Sequence, residues 1–294
     1  MYDGARRDSG RIVTDYPFRI LNVFAIAGER FSGNPLCVFE DARGMDDATM
    51  QAVALQFNLS ETTFILPSSA ATARVRIFTP GFEMPFAGHP TLGTAHVVRE
   101  TTHAGDRLSL EMRAGIVPVS AEGDQWTLQA NAPTHRAAEA SREQFAEMLG
   151  VAAQDILEGA MWVNTGSEQL VIPMRTAAAV RNAAPRPDLL ARYAQQSESS
   201  QLAYVWAPED DARVTARFFF RKGTTIVEDP ATGSACANLG GWLAARSAVR
   251  PIRRTVFQGD MIKRPSRLGL TVDEGGAIFV SGLVVPVARG NFTG

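Results

Sequence analysis

Short runs of β-branched and aromatic residues alternate with turn residues along the chain from Phe18 onward. Runs of this kind, bounded by glycine, proline and asparagine, are typical of β-strands. In the first half they predict strands in RILNVFAI, LCVF, TFILP, RVRIFTP, RLSLEM, GIVPVS and QWTLQA. In the second half they predict strands in MWVN, QLVIP, LAYVWAP, VTARFFF, RLGLTVD, AIFV and GLVVPV. We therefore expect a protein rich in β-structure.

Apolar residues at helical spacing interrupt these strands. The clearest case begins at Asp46, which can cap a helix, and runs to Phe57, after which Asn58 suits the exit. A capping-box spacing of Ser141 and Gln144 opens another helix. That helix is predicted at 141–149, and the remaining helices are predicted at about 90–99, 187–195 and about 232–245.

The two halves of the chain resemble each other around one short motif. At an offset of 140 residues, HPTLGTA from His89 lies over DPATGSA from Asp229. Each segment alone is more typical of a structural turn, but two copies carrying different ionisable residues favour a site and an internal duplication. Each copy would present the N-terminus of a helix, which attracts anions. The expected ligand is a small carboxylate.

Composition narrows the class of protein. The 294 residues include 45% hydrophobic and 20% charged residues, and the formal net charge is −2, so no basic excess points to nucleic acid. No apolar run is long enough for a membrane span, and the N-terminal segment lacks the apolar centre of a signal peptide. We expect a cytoplasmic protein. Residues 1–16 are polar and aperiodic and are predicted to form a flexible tail.

Candidate catalytic residues are few. Glu61 stands at the junction between the first predicted helix and a strand, where a charge is unusual. His89, His96 and His103 are spaced by seven, which does not fit a helical metal site, so the latter two are interpreted as surface or packing residues. Cys37 and Cys236 are the only cysteines, so neither a disulfide framework nor a zinc cluster is expected.

Cofactor chemistry has little support in the sequence. Lys222 and Lys263 are the only lysines, and both are interpreted as solvated residues rather than cofactor anchors. The sequence contains neither of the glycine-rich motifs that bind nucleotides, G-x-x-x-x-G-K-[ST] and G-x-G-x-x-G. A pyridoxal-type enzyme remains a distant alternative.

Four segments together resemble one known family. They are FSGNP at 31–35, NLSETTF around Glu61, RIFTPGFEMPFAGHPTLGTA through His89, and EDPATGSA at 228–235. In this order and spacing they resemble the PhzF-type phenazine-biosynthesis family, isomerases that share the diaminopimelate epimerase fold. The resemblance covers nearly the whole chain from Phe18.

The resemblance implies an α+β fold of two pseudo-symmetric domains, each a β-barrel-like sheet wrapped around a central helix, with the active site in the interdomain cleft. It assigns residues 17–131 and 282–294 to the first domain and residues 132–281 to the second. It also implies a homodimer that uses neither a cofactor nor a metal.

The resemblance further implies which residues act. The catalytic residues would be Glu61, His89, Asp229 and Ser234. The substrate-binding residues would be Asn34, Gly88, Gly233, Gln258 and Gly259. Glu61 would remove a proton from one carbon of a conjugated ring and return it to another, while the helix N-termini hold the substrate carboxylate.

The leading hypothesis is therefore a cofactor-independent isomerase acting by proton transfer on a small carboxylate-bearing substrate of the dihydrohydroxyanthranilate type. One alternative is an amino-acid-type epimerase with Glu61 and Asp229 on opposite faces of the substrate. The other is a catalytically silent protein that binds a small ligand or another protein. A two-thiol racemase is disfavoured, because Ala87 occupies a turn where such enzymes carry cysteine, and Cys37 and Cys236 match neither thiol position.

Overall fold

A computed structural model describes residues 5–8, 11–197 and 200–293 of the chain. The chain divides into two compact units. The first runs to Leu128 and includes the C-terminal residues from Leu283, and the second spans Gln129–Gly282.

In the first unit a closed barrel surrounds one helix. Its strands are β1 (Ala5–Asp8), β2 (Arg11–Ala25), β3 (Asn34–Phe39), β4 (Glu61–Leu66), β5 (Ala73–Phe78), β6 (Glu83–Met84), β7 (Arg107–Met112), β8 (Gly115–Glu122), β9 (Gln125–Gln129) and the last part of β19 (Ile278–Thr293). Its helices are α1 (Asp47–Phe57) and α2 (Gly88–Thr102). Strands β2, β3, β4, β5, β7, β8, β9 and β19 pair in that order, and β19 returns to β2 to close the ring.

Helix α2 is the centre of the first unit. It packs against β2, β3, β4, β5 and β7, and its residues from His89 to Val98 are all buried. Gly93 lets the helix approach the barrel wall, since a Cβ there would lie 2.5 Å from Leu36 and 2.9 Å from Val23. The helix therefore carries His89 into the interior of the unit.

In the second unit the same plan recurs. Its strands are β10 (Thr134–Ala137), β11 (Met161–Asn164), β12 (Glu168–Pro173), β13 (Gln195–Ser197), β14 (Ser200–Pro208), β15 (Arg213–Lys222), β16 (Thr225–Asp229), β17 (Ile252–Gln258), β18 (Ser266–Val272) and the start of β19. Its helices are α3 (Arg142–Leu149), α4 (Ala177–Asn182), α5 (Pro187–Tyr193) and α6 (Gly233–Arg246). The central helix α6 packs against β11, β12 and β18.

The two units share one strand order. The parallel pair β3–β4, the hairpin β5–β6, helix α2 and the parallel pair β5–β7 correspond to β12–β14, β15–β16, α6 and β15–β17. The predicted internal duplication is therefore visible in the strand pairing.

A repeated side-chain cluster sets the correspondence between the two hairpins. Arg76 lies over the ring of Phe78 and makes two hydrogen bonds to Glu83, the residue paired with Phe78. In the second unit Arg217 lies over the ring of Phe219 and makes two hydrogen bonds to Glu228, which pairs with Phe219.

This cluster corrects the predicted offset of 140. Glu83 matches Glu228 and Gly88 matches Gly233, an offset of 145 in both cases (228 − 83 and 233 − 88). Strand β16 is longer than its counterpart β6, so the residues that follow the hairpin are shifted along the sequence of the second unit. His89 therefore matches Ser234, and both stand second in their helices.

Most predicted elements are confirmed. Helix α1 follows the predicted bounds, with Asp46 accepting from the Thr49 amide and Asn58 in the left-handed conformation at its end. Helix α3 has the predicted capping box. Helix α2 is longer than predicted, and α4, β6, β10, β13, β16 and β17 were not predicted.

The predicted N-terminal tail differs from the structure. Residues 5–8 and 11–16 lie in β1 and β2, which pair with each other, and Tyr16 is buried opposite Phe292. Backbone pairing requires no hydrophobic period, so the polar composition was a poor guide here. The other residues of the predicted tail, 1–4, 9 and 10, lie outside the described residues.

Within residues 5–8, 11–197 and 200–293, no helix is long and apolar enough to cross a membrane.

Candidate active site

A tight loop brings Asn34 and Pro35 to the start of β3. Ser32 accepts a hydrogen bond from the Ile26 amide at 2.7 Å and donates one to the Glu29 carbonyl at 2.6 Å. Gly33 has a φ of +86°, and a Cβ there would lie 2.6 Å from the Val23 carbonyl oxygen, so only glycine fits. The FSGNP motif therefore serves the geometry of this loop, and it leaves Asn34 fully buried.

Glu61 and His89 lie together in the first unit. Glu61 is the first residue of β4, opposite Leu36, and His89 is the second residue of α2. His89 Nε2 lies 3.3 Å from Glu61 Oε2, and the side chains are 7% and 15% exposed. The structure thus brings together two of the four predicted catalytic residues.

His89 is held in its neutral form. Burial lowers the pKa of His89 to about 3, and a hydrogen bond to the backbone of Pro35 opposes that shift only in part. Proline has no N–H, so the imidazole must donate to the Pro35 carbonyl. Nε2 makes no hydrogen bond within the described part of the chain, so the donor is Nδ1. Nε2 therefore presents a lone pair to Glu61.

In the second unit a compact turn holds Asp229. Gln258 donates to the Asp229 carbonyl at 2.9 Å and to the Thr232 hydroxyl at 3.0 Å. Thr232 in turn donates from its hydroxyl to the Asp229 carboxylate. Gln258 is only 1% exposed, so its amide braces this turn from inside.

Gly259 completes the brace. Its φ is +81°, and a Cβ would lie 2.2 Å from the Arg264 carbonyl oxygen and 2.6 Å from that of Pro230. Both contacts are to backbone, so a larger residue would have to displace the turn that carries Asp229. Gln258 and Gly259, predicted to bind substrate, thus lie where they support Asp229.

Ser234 stands one turn further on, as the second residue of α6. Its hydroxyl oxygen accepts a hydrogen bond from Gln169 Nε2 at 2.8 Å. Gln169 Oε1 accepts one from Asn238 Nδ2, also at 2.8 Å. Neither of these buried amides was predicted from the sequence, where no signal marks them, because 65 and 69 residues separate the bonded pairs.

Both central helices begin without a side-chain cap. Ala87 precedes α2 and cannot cap it, and Thr232 precedes α6 but makes no capping hydrogen bond, since its hydroxyl is engaged with Asp229. The first-turn amides at Gly88 and Gly233 therefore keep the positive end of the helix open to an anion.

The cysteines lie in the core, and the lysines lie on the surface. Cys37 and Cys236 are fully buried, and burial raises the pKa of both thiols, which confirms their interpretation as small core residues. Lys222 and Lys263 are exposed, as predicted. Among the described residues, no group of three or more histidine, cysteine, aspartate or glutamate side chains is arranged to hold a metal ion.

The family model of phenazine biosynthesis-like proteins, PhzC-PhzF, matches residues 22–290 of the chain. The chain belongs to the PhzF family. The family predicted from the four motifs is thus confirmed, as is the epimerase-like α+β fold of two pseudo-symmetric domains.

Several relatives of this PhzF-family protein are named isomerases. An uncharacterized isomerase of Pasteurella multocida is 40% identical over 283 residues, covering 95% of this chain and 94% of that protein. The trans-2,3-dihydro-3-hydroxyanthranilate isomerase of Pseudomonas aeruginosa is 32% identical over 287 residues, covering 92% and 98%. A crystal structure of a PhzF-family protein from Bacillus anthracis has a TM-score of 0.83 at 24% identity, covering 95% and 99%. The named relatives support an isomerase, and the crystal structure supports the fold.

Proposed function

We propose that this protein is a cofactor-independent isomerase that moves a proton between two carbons of a small carboxylate-bearing substrate, of the dihydrohydroxyanthranilate type. The observation that carries the proposal is the buried pair of Glu61 and His89, with Nε2 and Oε2 3.3 Å apart. The 32% identity to a trans-2,3-dihydro-3-hydroxyanthranilate isomerase supports the substrate class.

The state of His89 suggests where the transferred proton resides. Two lone pairs facing each other at 3.3 Å repel, and a proton between Nε2 and Oε2 turns this contact into a hydrogen bond. Burial disfavours the imidazolium, so a proton that the pair shares belongs to Glu61 and not to His89. His89 is then an acceptor that stabilises Glu61 as an acid.

The reaction follows as two proton transfers with no net change in composition. The Glu61 carboxylate accepts a proton from an acidic carbon of the substrate, and the electron pair left behind spreads through the conjugated system. Glu61, now an acid beside His89 Nε2, returns the proton to a second carbon. One carboxyl group thus acts first as base and then as acid.

The second unit is proposed to bind the charged part of the substrate. Its turn presents the Asp229 carboxylate, and the uncapped start of α6 presents backbone amides beside Ser234. The amides suit a substrate carboxylate, and Asp229 suits an amino or hydroxyl group. Asn34, Gly88 and Gly233 are proposed to line the site.

The test is hydrogen exchange with solvent. Wild-type protein and the Glu61→Gln variant are incubated with trans-2,3-dihydro-3-hydroxyanthranilate in deuterated water and followed by proton NMR. The matched control is Glu122→Gln, which removes an exposed carboxylate from β8 of the same unit. We expect deuterium uptake and a shifted double bond with wild type and control, and neither with Glu61→Gln.

Other outcomes would change the assignment. Near-normal turnover by a folded Glu61→Gln protein would refute the role of Glu61. Inversion of a carbon without movement of a double bond would indicate an epimerase instead. The proposal also includes a cytoplasmic homodimer. A mass of one 31.7 kDa chain, measured by light scattering of the purified protein, would contradict the dimer.

A further inference from the structure

A chain of buried polar groups leads to Ser234 from the interior of the second unit. Thr165, Gln169 and Asn238 are 6%, 3% and 0% exposed. Asn238 Oδ1 accepts from the Thr165 amide at 2.9 Å and from the Thr165 hydroxyl at 2.7 Å. Asn238 Nδ2 donates to the Ser167 carbonyl and to Gln169 Oε1, both at 2.8 Å.

The donors and acceptors along this chain can be assigned without seeing hydrogen atoms. A backbone N–H can only donate, so the atom of Asn238 that faces the Thr165 amide must be oxygen. Its nitrogen then faces Ser167 and Gln169. A nitrogen can only donate here, so the atom of Gln169 that it faces must also be oxygen.

The same logic assigns the last bond. With Oε1 of Gln169 facing Asn238, its Nε2 faces Ser234 and donates to Oγ at 2.8 Å. Ser234 is the acceptor in that bond, so its own hydroxyl hydrogen must point elsewhere. No other side-chain hydrogen bond of Ser234 occurs among the described residues.

We propose that Gln169 and Asn238 are positioning residues that fix the Ser234 hydroxyl as a hydrogen-bond donor toward the substrate. The inference rests on the proposed function and deepens it, because it defines what Ser234 can bind. A hydroxyl that has already accepted a bond from Gln169 offers its hydrogen to a substrate acceptor such as a carboxylate.

The fixed orientation has an energetic reason. A free serine hydroxyl rotates and can accept as readily as donate. The buried amides cannot rotate without leaving buried donors and acceptors unpaired. The direction set at the Thr165 amide is therefore transmitted through two side chains to Ser234.

Neutron diffraction on deuterium-exchanged crystals tests the orientation directly and needs no ligand. We expect two deuterons on Gln169 Nε2, one of them pointing at Ser234 Oγ, and the Ser234 deuteron pointing away from Gln169. A Ser234 deuteron pointing at Gln169 would overturn the inference.

Variants test the consequence for binding, with anthranilate as the carboxylate probe in calorimetry. In Gln169→Glu the new carboxylate accepts from Ser234 and reverses the bond, so we expect affinity to fall roughly tenfold to hundredfold. The control Gln201→Glu adds the same charge to the same unit at another buried glutamine and should leave the affinity unchanged. Circular dichroism shows whether each variant is folded.

A double-mutant cycle separates reversal of the bond from simple charge repulsion. If Gln169→Glu acts through the hydroxyl, adding Ser234→Ala to it weakens binding no further. If the double variant instead shows the product of the two single variants' losses in affinity, charge repulsion alone acts. That result would overturn the inference. Absence of anthranilate binding by the wild type would also overturn the assigned role of Ser234.

The inference and the proposed function fail separately. Unchanged anthranilate affinity in Gln169→Glu, with exchange abolished in Glu61→Gln, overturns the inference and leaves the isomerase. Weakened affinity in Gln169→Glu, with exchange independent of Glu61, supports the inference and refutes the isomerase mechanism.

Discussion

The buried neutral imidazole of His89 predicts a loss of stability in mild acid. Its pKa is lowered to about 3 in the folded protein by burial, whereas a histidine in an unfolded chain titrates near 6.5. Between these values only the unfolded state takes up the proton. The free energy of unfolding therefore falls as the pH drops below about 6.5.

The magnitude follows from the two pKa values. From pH 7 to pH 5 the proton taken up at residue 89 lowers the free energy of unfolding by about 2 kcal/mol. This figure is insensitive to the folded-state value as long as that value lies well below 5. Burial also lowers the pKa of His96, which adds to the wild-type loss with the same sign.

The assay compares urea unfolding at pH 7 and pH 5 for the wild type and His89→Asn. The asparagine amide can replace the Nδ1 donor to the Pro35 carbonyl but does not titrate, so the difference between the two proteins isolates residue 89. The control is His103→Asn, at an exposed helix end with a φ of +54° that asparagine tolerates. If His89→Asn loses as much stability as the wild type between the two pH values, the assignment of a buried neutral histidine is refuted.

Three further predictions concern stability and reactivity. Gly259→Ala should lower the free energy of unfolding by about 3 kcal/mol or more, against about 1 kcal/mol for Gly276→Ala, because both have positive φ but only the first Cβ meets backbone; urea unfolding measures both. Arg217→Met leaves buried Glu228 unpaired and should lower the free energy of unfolding by about 3 kcal/mol or more, whereas Arg213→Met at an exposed pair should cost much less; equal costs would contradict the effect of burial. Neither cysteine should react with Ellman's reagent in the native protein, and both should react in guanidinium.

Local signals in the sequence were sufficient where an element is specified by its own residues. Helix α1 has a capping aspartate at its start and Asn58 in the left-handed conformation at its end, and both lie next to the helix in sequence. Helix α2 was predicted to begin at about Pro90 but begins at Gly88. Its first turn has no capping side chain, so no local signal marks the start.

The error in the internal offset has a similar cause. Matching residue types at a fixed spacing aligned His89 with Asp229, because both precede proline. The unequal hairpins shift the true match to Ser234. The pairing of Glu83 and Glu228 across their hairpins reveals this, and strand register is not visible in one sequence.

The candidate site residues were found from motifs, but their roles depend on contacts distant in sequence. Gln258, which the resemblance implies as a substrate-binding residue, donates from its amide to the Asp229 carbonyl and to the Thr232 hydroxyl. Gln169 belongs to no motif and lies in an ordinary buried strand, although it reaches Ser234. Such bonds join residues that only the folded chain brings together, so sequence patterns at short spacing do not predict them.

The corrected duplication explains how one fold position came to serve two chemical purposes. His89 and Ser234 each stand second in the central helix of their unit, after a glycine and at an uncapped start. In the first unit the His89 imidazole donates its N–H to the Pro35 carbonyl, so Nε2 keeps a lone pair. In the second unit Ser234 Oγ accepts from Gln169 Nε2, so the hydrogen of the serine hydroxyl points away from Gln169. The neighbour of each residue thus decides its polarity, so that equivalent positions provide an acceptor in one unit and a donor in the other.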